Sequence, residues 1–205
     1  YSVGRIPGAY LRREGRPSER GVLVSRLIDR PMRPFFDDDL RNDVVVTCTS
    51  LSNDKDNSIE VVASLGAFIA TAYSDVPWNG PMATTQVAYV DGEYVVNPSY
   101  DQHQRADMFI TIASTAEKVV MIETEANEIP EDILLGGIKL AHETNQKIVA
   151  FINEIVAEIG KEKMTYDHAD FDQELFDKIV EATMDEAKAA MDTDDKNVRE
   201  ERWNA

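Results

Sequence analysis

Met82-Ala83-Thr84-Thr85-Gln86-Val87-Ala88-Tyr89-Val90-Asp91-Gly92-Glu93-Tyr94-Val95-Val96-Asn97 reads as two strands and the turn between them. Both arms, Met82–Val90 and Glu93–Asn97, are rich in Thr, Val and Tyr, which suit a pleated, half-buried surface. Asp91-Gly92 can adopt the positive φ angles of a two-residue hairpin. Downstream, Asp107–Ala113 and Lys118–Glu123 repeat the pattern as a second antiparallel pair. Upstream, Val76-Pro77-Trp78-Asn79-Gly80-Pro81 is a rigid turn. Asn57–Tyr73 before it predicts a buried helix, with Ile59, Val62, Leu65 and Ile69 toward the core.

Further out, Asp43–Leu51 alternates and predicts a strand. Ser18 is placed to cap a helix whose apolar pairs are Leu23 with Leu27 and Val24 with Ile28; Pro31 and Pro34 are expected to stop it. On the other side, Pro130 opens a long helix with Ile133, Leu134, Ile138 and Ala141 inward. Its continuation carries Ile148, Phe151, Ile152, Ile155 and Ile159. Gly160–Asp170 reads as a polar linker. A helix with the stripe Phe171, Leu175, Ile179 beside Phe176, Val180, Met184, Ala187 and Met191 follows, and needs a partner. Residues 192–205 are polar and expected to fray. Strands grouped apart from helices indicate α+β, with a first domain over 1–163 and an all-α segment over 164–205.

The 205 residues are 43% hydrophobic and 29% charged, enough to build a buried core. No apolar run approaches the ~20 residues of a bilayer-spanning helix, so no membrane partner is expected. The first residues lack the apolar run of a secretory signal, and the first methionine is Met32, which suggests a processed or trimmed chain. Cys48 is the single cysteine; it excludes an internal disulfide and is expected as a small buried hydrophobe. A reducing, cytoplasmic setting follows.

A net charge of −17 argues against nucleic acid until its distribution is seen. Residues 1–35 hold Arg5, Arg12, Arg13, Arg16, Arg20, Arg26, Arg30 and Arg33 against Glu14, Glu19 and Asp29. Every cation there is arginine, whose planar fork matches phosphate oxygens in pairs. Two readings stay open: a phosphate-binding zone, or helix arginines paired with neighbouring carboxylates.

Elsewhere the chemistry is sparse. Asp54-Lys55-Asp56-Asn57-Ser58 opens like a calcium loop, but Ile59 and Leu65 stand where Gly and Glu are required. Glu123, Glu125, Glu128, Glu131 and Asp132 could hold Mg²⁺, yet suit the positive end of the helix beginning near Pro130 better. His103, His142 and His168 show no metal-ligand spacing, and no catalytic residue or metal ligand is assigned. The loop Gly4-Arg5-Ile6-Pro7-Gly8-Ala9-Tyr10-Leu11-Arg12-Arg13-Glu14-Gly15-Arg16-Pro17 is the exception. Tyr10 offers a flat face on which a base can stack and Arg12-Arg13 offers phosphate donors, the way single strands are held without sequence readout. Tyr10 as a core anchor is the other reading.

That loop, with Ser25-Arg26-Leu27-Ile28-Asp29-Arg30-Pro31-Met32-Arg33-Pro34, closely resembles the polynucleotide phosphorylase family. Asn79-Gly80-Pro81, Val90 to Pro98 and Ala141-His142-Glu143 agree, so the likeness covers essentially the whole chain. It implies a ribonuclease PH-like core (ribosomal protein S5 domain 2-like), N-terminally incomplete, followed by the start of a helical domain. It also implies a 3′→5′ exoribonuclease that uses inorganic phosphate, needs Mg²⁺, and threads single-stranded RNA through a homotrimeric ring, with degradosome-type partners. By resemblance Tyr10, Arg12, Arg13 and Arg16 would line the RNA channel, and Arg33 would lie near the RNA path. The family's loop usually reads Phe-Phe-Arg-Arg; Tyr10 keeps the first aromatic, whereas Leu11 replaces the second. The phosphate and metal sites belong to a second core beyond this chain, so the chain alone is expected to be inactive. A non-catalytic ring or scaffold subunit of the same fold, binding RNA or partner subunits, is the alternative.

Overall fold

The computed structural model describes residues 17–54, 56–168 and 172–204. They fall into two compact units divided between Tyr166 and Asp167. The first unit is built on a four-stranded antiparallel sheet of order β2-β1-β3-β4: β1 Ala83–Val90, β2 Glu93–Val96, β3 Met108–Ser114 and β4 Val119–Ala126. Asp91 and Gly92 take φ of 53° and 89°, so the tight hairpin turn forms where expected and sets Val90 opposite Glu93. A short helix α3, Tyr100–Gln104, bridges β2 to β3; its Ser99–Gln102 capping box was not foreseen.

One helix of 29 residues, α4 (Glu131–Ile159), covers one face of the sheet. Val87, Met108, Ile110, Ile112 and Ala141 form the core between them. Gly137 permits the close approach, since a Cβ there would meet Met108 Cε at 2.8 Å. The buried stripe is Gly137, Ala141, Asn145, Val149 and Ile152, whereas Phe151 and Ile159, expected inside, are exposed. Asn145 sits in that stripe because its polar groups are all met. Its Oδ1 accepts from Thr85 Oγ1 at 2.7 Å, and its Nδ2 donates to Ile112 O at 3.1 Å and Ser114 Oγ at 2.9 Å.

A second cluster joins Ile28 and Met32 of α1 (Glu19–Met32), Ala67, Phe68 and Ala72 of α2 (Ile59–Tyr73), and Trp78, Met82 and Ile152. Trp78 Nε1 donates to Met32 O at 3.1 Å and its ring stacks on Phe68. The buried face of α2 is Ser64, Ala67, Phe68, Thr71 and Ala72; of the expected aliphatic residues Leu65 and Ile69 pack against the cluster partly buried, whereas Val62 is exposed. Small residues allow close packing, and the two hydroxyls bond carbonyls of their own helix. Pro31 does not stop α1: it is buried inside the last turn, and the chain continues into a 3-10 turn at Arg33–Phe35. One lost donor so close to the helix end is tolerated there.

Four further expectations need correction. Residues 43–51 form no strand; each is exposed, and no described strand lies beside them to complete a ladder. Cys48 is accordingly exposed. Residues 161–166 are bonded to the end of α2 and to the loops at Asp75 and Asp37 instead of forming a free linker. The stretch expected to fray contains a helix, α6 (Lys196–Asn204). In the second unit α6 follows α5 (Gln173–Met191), and Arg202 Nη1 donates to Ala189 O and Asp192 O. Leu175, Phe176, Ile179, Met184 and Met191 of α5 are exposed.

Candidate nucleic-acid interface

Tyr10, Arg12, Arg13 and Arg16 lie outside the described residues; Arg33 and the helix that the arginine loop leads into lie within them. α1 starts at Ser18, whose Oγ accepts from Gly21 N at 3.1 Å, so the chain enters the helix two residues after Arg16. Leu27, Ile28, Pro31 and Met32 turn one side of α1 inward. Packing that side leaves the charged positions outward. Arg26, Arg30 and Arg33, spaced four and three apart, share one exposed face.

The pairing differs along that face. Arg30 Nη1 bonds Glu123 Oε1 of β4 at 2.7 Å, and Arg33 pairs with Asp29 one turn earlier. Nearer the start of the helix, Arg20 Nη2 bonds Glu60 Oε1 at 2.9 Å. Arg26 makes no hydrogen bond or ion pair among the described residues. The expectation of arginines paired with carboxylates is therefore met at Arg20, Arg30 and Arg33. These pairs are solvent-exposed on the arginine side, where such contacts contribute ~0–1 kcal/mol. Glu60 feels its pair more strongly: burial pushes its carboxyl up, but Arg20 and the Ser58 hydroxyl outweigh that and hold it below its ordinary value. The four-and-three spacing of Arg26, Arg30 and Arg33 is that of one helix face, of which only Arg33 was expected near the RNA path.

The acidic residues 123–132 divide by role. Glu123 serves Arg30, Glu125 Oε2 lies 4.0 Å from His103 Nε2, and Glu131 and Asp132 occupy the first turn of α4. No group of three or more His, Cys, Asp or Glu among the described residues is disposed to hold a metal ion. His142 Nδ1 lies 3.1 Å from Ser114 Oγ, a serine–histidine contact. Ser114 is fully buried and already accepts from Asn145, so the contact joins α4 to β3 and offers no nucleophile to a substrate.

Two family models match in succession: the 3′ exoribonuclease family, domain 1, over residues 1–77, and domain 2 of that family over residues 80–144. The change from one to the other falls at the Pro77–Pro81 turn. A protein of Lachnoclostridium phytofermentans is 50% identical over 202 residues, 98% of this chain and 29% of that protein. One of Ruminiclostridium cellulolyticum is 46% identical over 200 residues, covering 98% and 28%. One of Clostridioides difficile is 45% identical over 204 residues, covering 100% and 29%. All three are named polyribonucleotide nucleotidyltransferase. Among solved structures, rice Rrp46 aligns at a TM-score of 0.45 and 13% identity over 50% of each chain. The chain spans about 28–29% of the length of these curated relatives. With the two domain models back to back across its ribonuclease PH-like α+β unit, the chain belongs to the 3′ exoribonuclease family.

Proposed function

We propose that this chain is the RNA-gripping part of a polyribonucleotide nucleotidyltransferase. In that reading the whole protein degrades single-stranded RNA from its 3′ end with inorganic phosphate as co-substrate. A phosphate oxygen attacks the phosphorus of the last internucleotide linkage, and the bond from that phosphorus to the 3′ oxygen of the penultimate residue breaks. A nucleoside diphosphate leaves, and the shortened RNA keeps a free 3′ hydroxyl; the reverse reaction extends RNA. Mg²⁺ and the phosphate site belong to parts of the protein beyond this chain. A homotrimer, degradosome-type partners and a cytoplasmic setting complete the reading.

Within this chain Tyr10 stacks on a base, while Arg12, Arg13 and Arg16 hold the neighbouring phosphates, and Arg33 extends the cationic track onto α1. Arg26 and Arg30 share the Arg33 face and lengthen that track by two helical turns. A strand crossing this surface exchanges the ion pairs of Arg30 and Arg33 for phosphate contacts and releases counterions. The acidic remainder of the chain repels polyanion elsewhere, which confines binding to the arginine zone.

The observation that carries the reading is the 45–50% identity, over nearly the entire chain, to proteins bearing that enzyme's name. Phosphate-dependent release of nucleoside diphosphates from oligo(A) by the full-length protein tests it, with none expected from the 205-residue chain. No phosphorolysis by the full-length protein, or robust turnover by this chain alone, overturns the assignment of roles.

A further inference from the structure

The C-terminal end of α2 is closed by a segment that lies some ninety residues away in sequence. Helices end with carbonyls that have no partner inside the helix, and a basic residue in the last turn commonly serves them. α2 has no basic residue in its last turn. Ser74 meets part of the need, its N–H going to Ala70 O and its hydroxyl to Thr71 O. Residues 161–166 meet the remainder. Lys161 N donates to Tyr73 O at 2.8 Å and Met164 N to Asp75 O at 2.8 Å. Between them, Lys163 Nζ donates to Thr71 O at 3.2 Å, Ala72 O at 2.8 Å and Ser74 O at 2.7 Å.

Three ammonium protons meet three carbonyls, so the donor capacity of Lys163 is filled. Burial pushes this ammonium below its ordinary lysine value, and Asp75 pulls it only part of the way back. At the far end Tyr166 Oη lies 2.6 Å from Asp37 Oδ2 and 3.2 Å from Asp39 Oδ1, a second fastening onto the loop after α1.

We infer that residues 161–166 are a strap locked onto the end of α2 by the Lys163 ammonium, and that this lysine fixes where the chain leaves the first unit. The strap is a conformational device, because its central fastening is one charge that can be removed. A neutral acylated lysine keeps a single N–H donor and can serve only one of the three carbonyls. The two backbone bonds that flank it, from Lys161 and Met164, then lose the fastening that lies between them. The inference does not depend on RNA binding or catalysis.

Amide hydrogen exchange on the full 205-residue chain tests it. In Lys163→Met the apolar stem is kept and the charge removed. The Lys161 and Met164 amides should exchange at least about tenfold faster, with the β3 amide of Ile112 unchanged. Tyr166→Phe should speed Met164 less than Lys163→Met does. Unchanged exchange at Lys161 and Met164 overturns the lock. So does equal acceleration at Ile112, which would make Lys163 a support of the whole fold and not of the strap. Acylation of the unmodified chain needs no variant: Lys163 should react at least about tenfold more slowly than exposed Lys188, and equal rates would also overturn the inference.

Discussion

β3 and the segment 43–51 carry much the same residues and reach opposite states. Met108–Ser114 is Met-Phe-Ile-Thr-Ile-Ala-Ser, and the other stretch is Asp-Val-Val-Val-Thr-Cys-Thr-Ser-Leu. Both alternate, and both are rich in β-branched residues. β3 lies between β1 and β4, with partners along its length on each side, and every residue except Phe109 is buried. Segment 43–51 has no such neighbour among the described residues, and Val45 is 84% exposed. The residue pattern is therefore compatible with a strand in both, whereas the ladder on either side decides whether it is one.

The contrast can be broken most sharply from the β3 side. Ile112→Ala removes a fully buried side chain from the interface with α4 and should cost about 2–5 kcal/mol in chemical denaturation. A loss under about 1 kcal/mol would mean that this core is loosely packed. Asn145→Ala should follow, at about 1–3 kcal/mol, because Thr85, Ser114 and the Ile112 carbonyl lose their shared partner.

Acid should act more gently. Glu60 titrates below its ordinary value of 4.5 in the folded chain, so its contribution is present above that value and is lost as pH falls through the lower, folded one. Arg20→Ala should reduce that acid-side loss; an identical stability profile below pH 4.5 would show the pair to be idle. Smallest of all, Val45→Ala on the unpaired segment should change stability by no more than about 0.5 kcal/mol. A change as large as that of Ile112→Ala would mean the segment is packed in solution.

Much of the fold was legible wherever local chemistry and tertiary setting agreed. Asp91-Gly92 and Pro130 mark a turn and a helix start through backbone preference, Ser18 marks another through its capping hydroxyl, and the structure follows. The failures share a cause. Val62 and Phe151 are apolar at helical spacing, yet the faces that pack belong to Ala67 and Gly137, whose small size lets helix meet sheet. Polar Asn145 and Lys163 are structural because of partners far away in sequence, which spacing cannot reveal. At the interface, arginine clustering was legible from residue order, and Arg33 is exposed just after α1, on the face that Arg26 and Arg30 share. The pairing of Arg30 with Glu123, 93 residues on, was not.

The role assigned to the arginine zone is tested most directly by the salt dependence of oligo(A) binding to the full-length protein, unmodified and as Arg12→Ala with Arg13→Ala. Two lost phosphate contacts on a single strand should flatten the slope of log K against log salt by about 1.4 and weaken binding at every salt concentration. An unchanged slope would contradict the account, because the two arginines would then carry no phosphate.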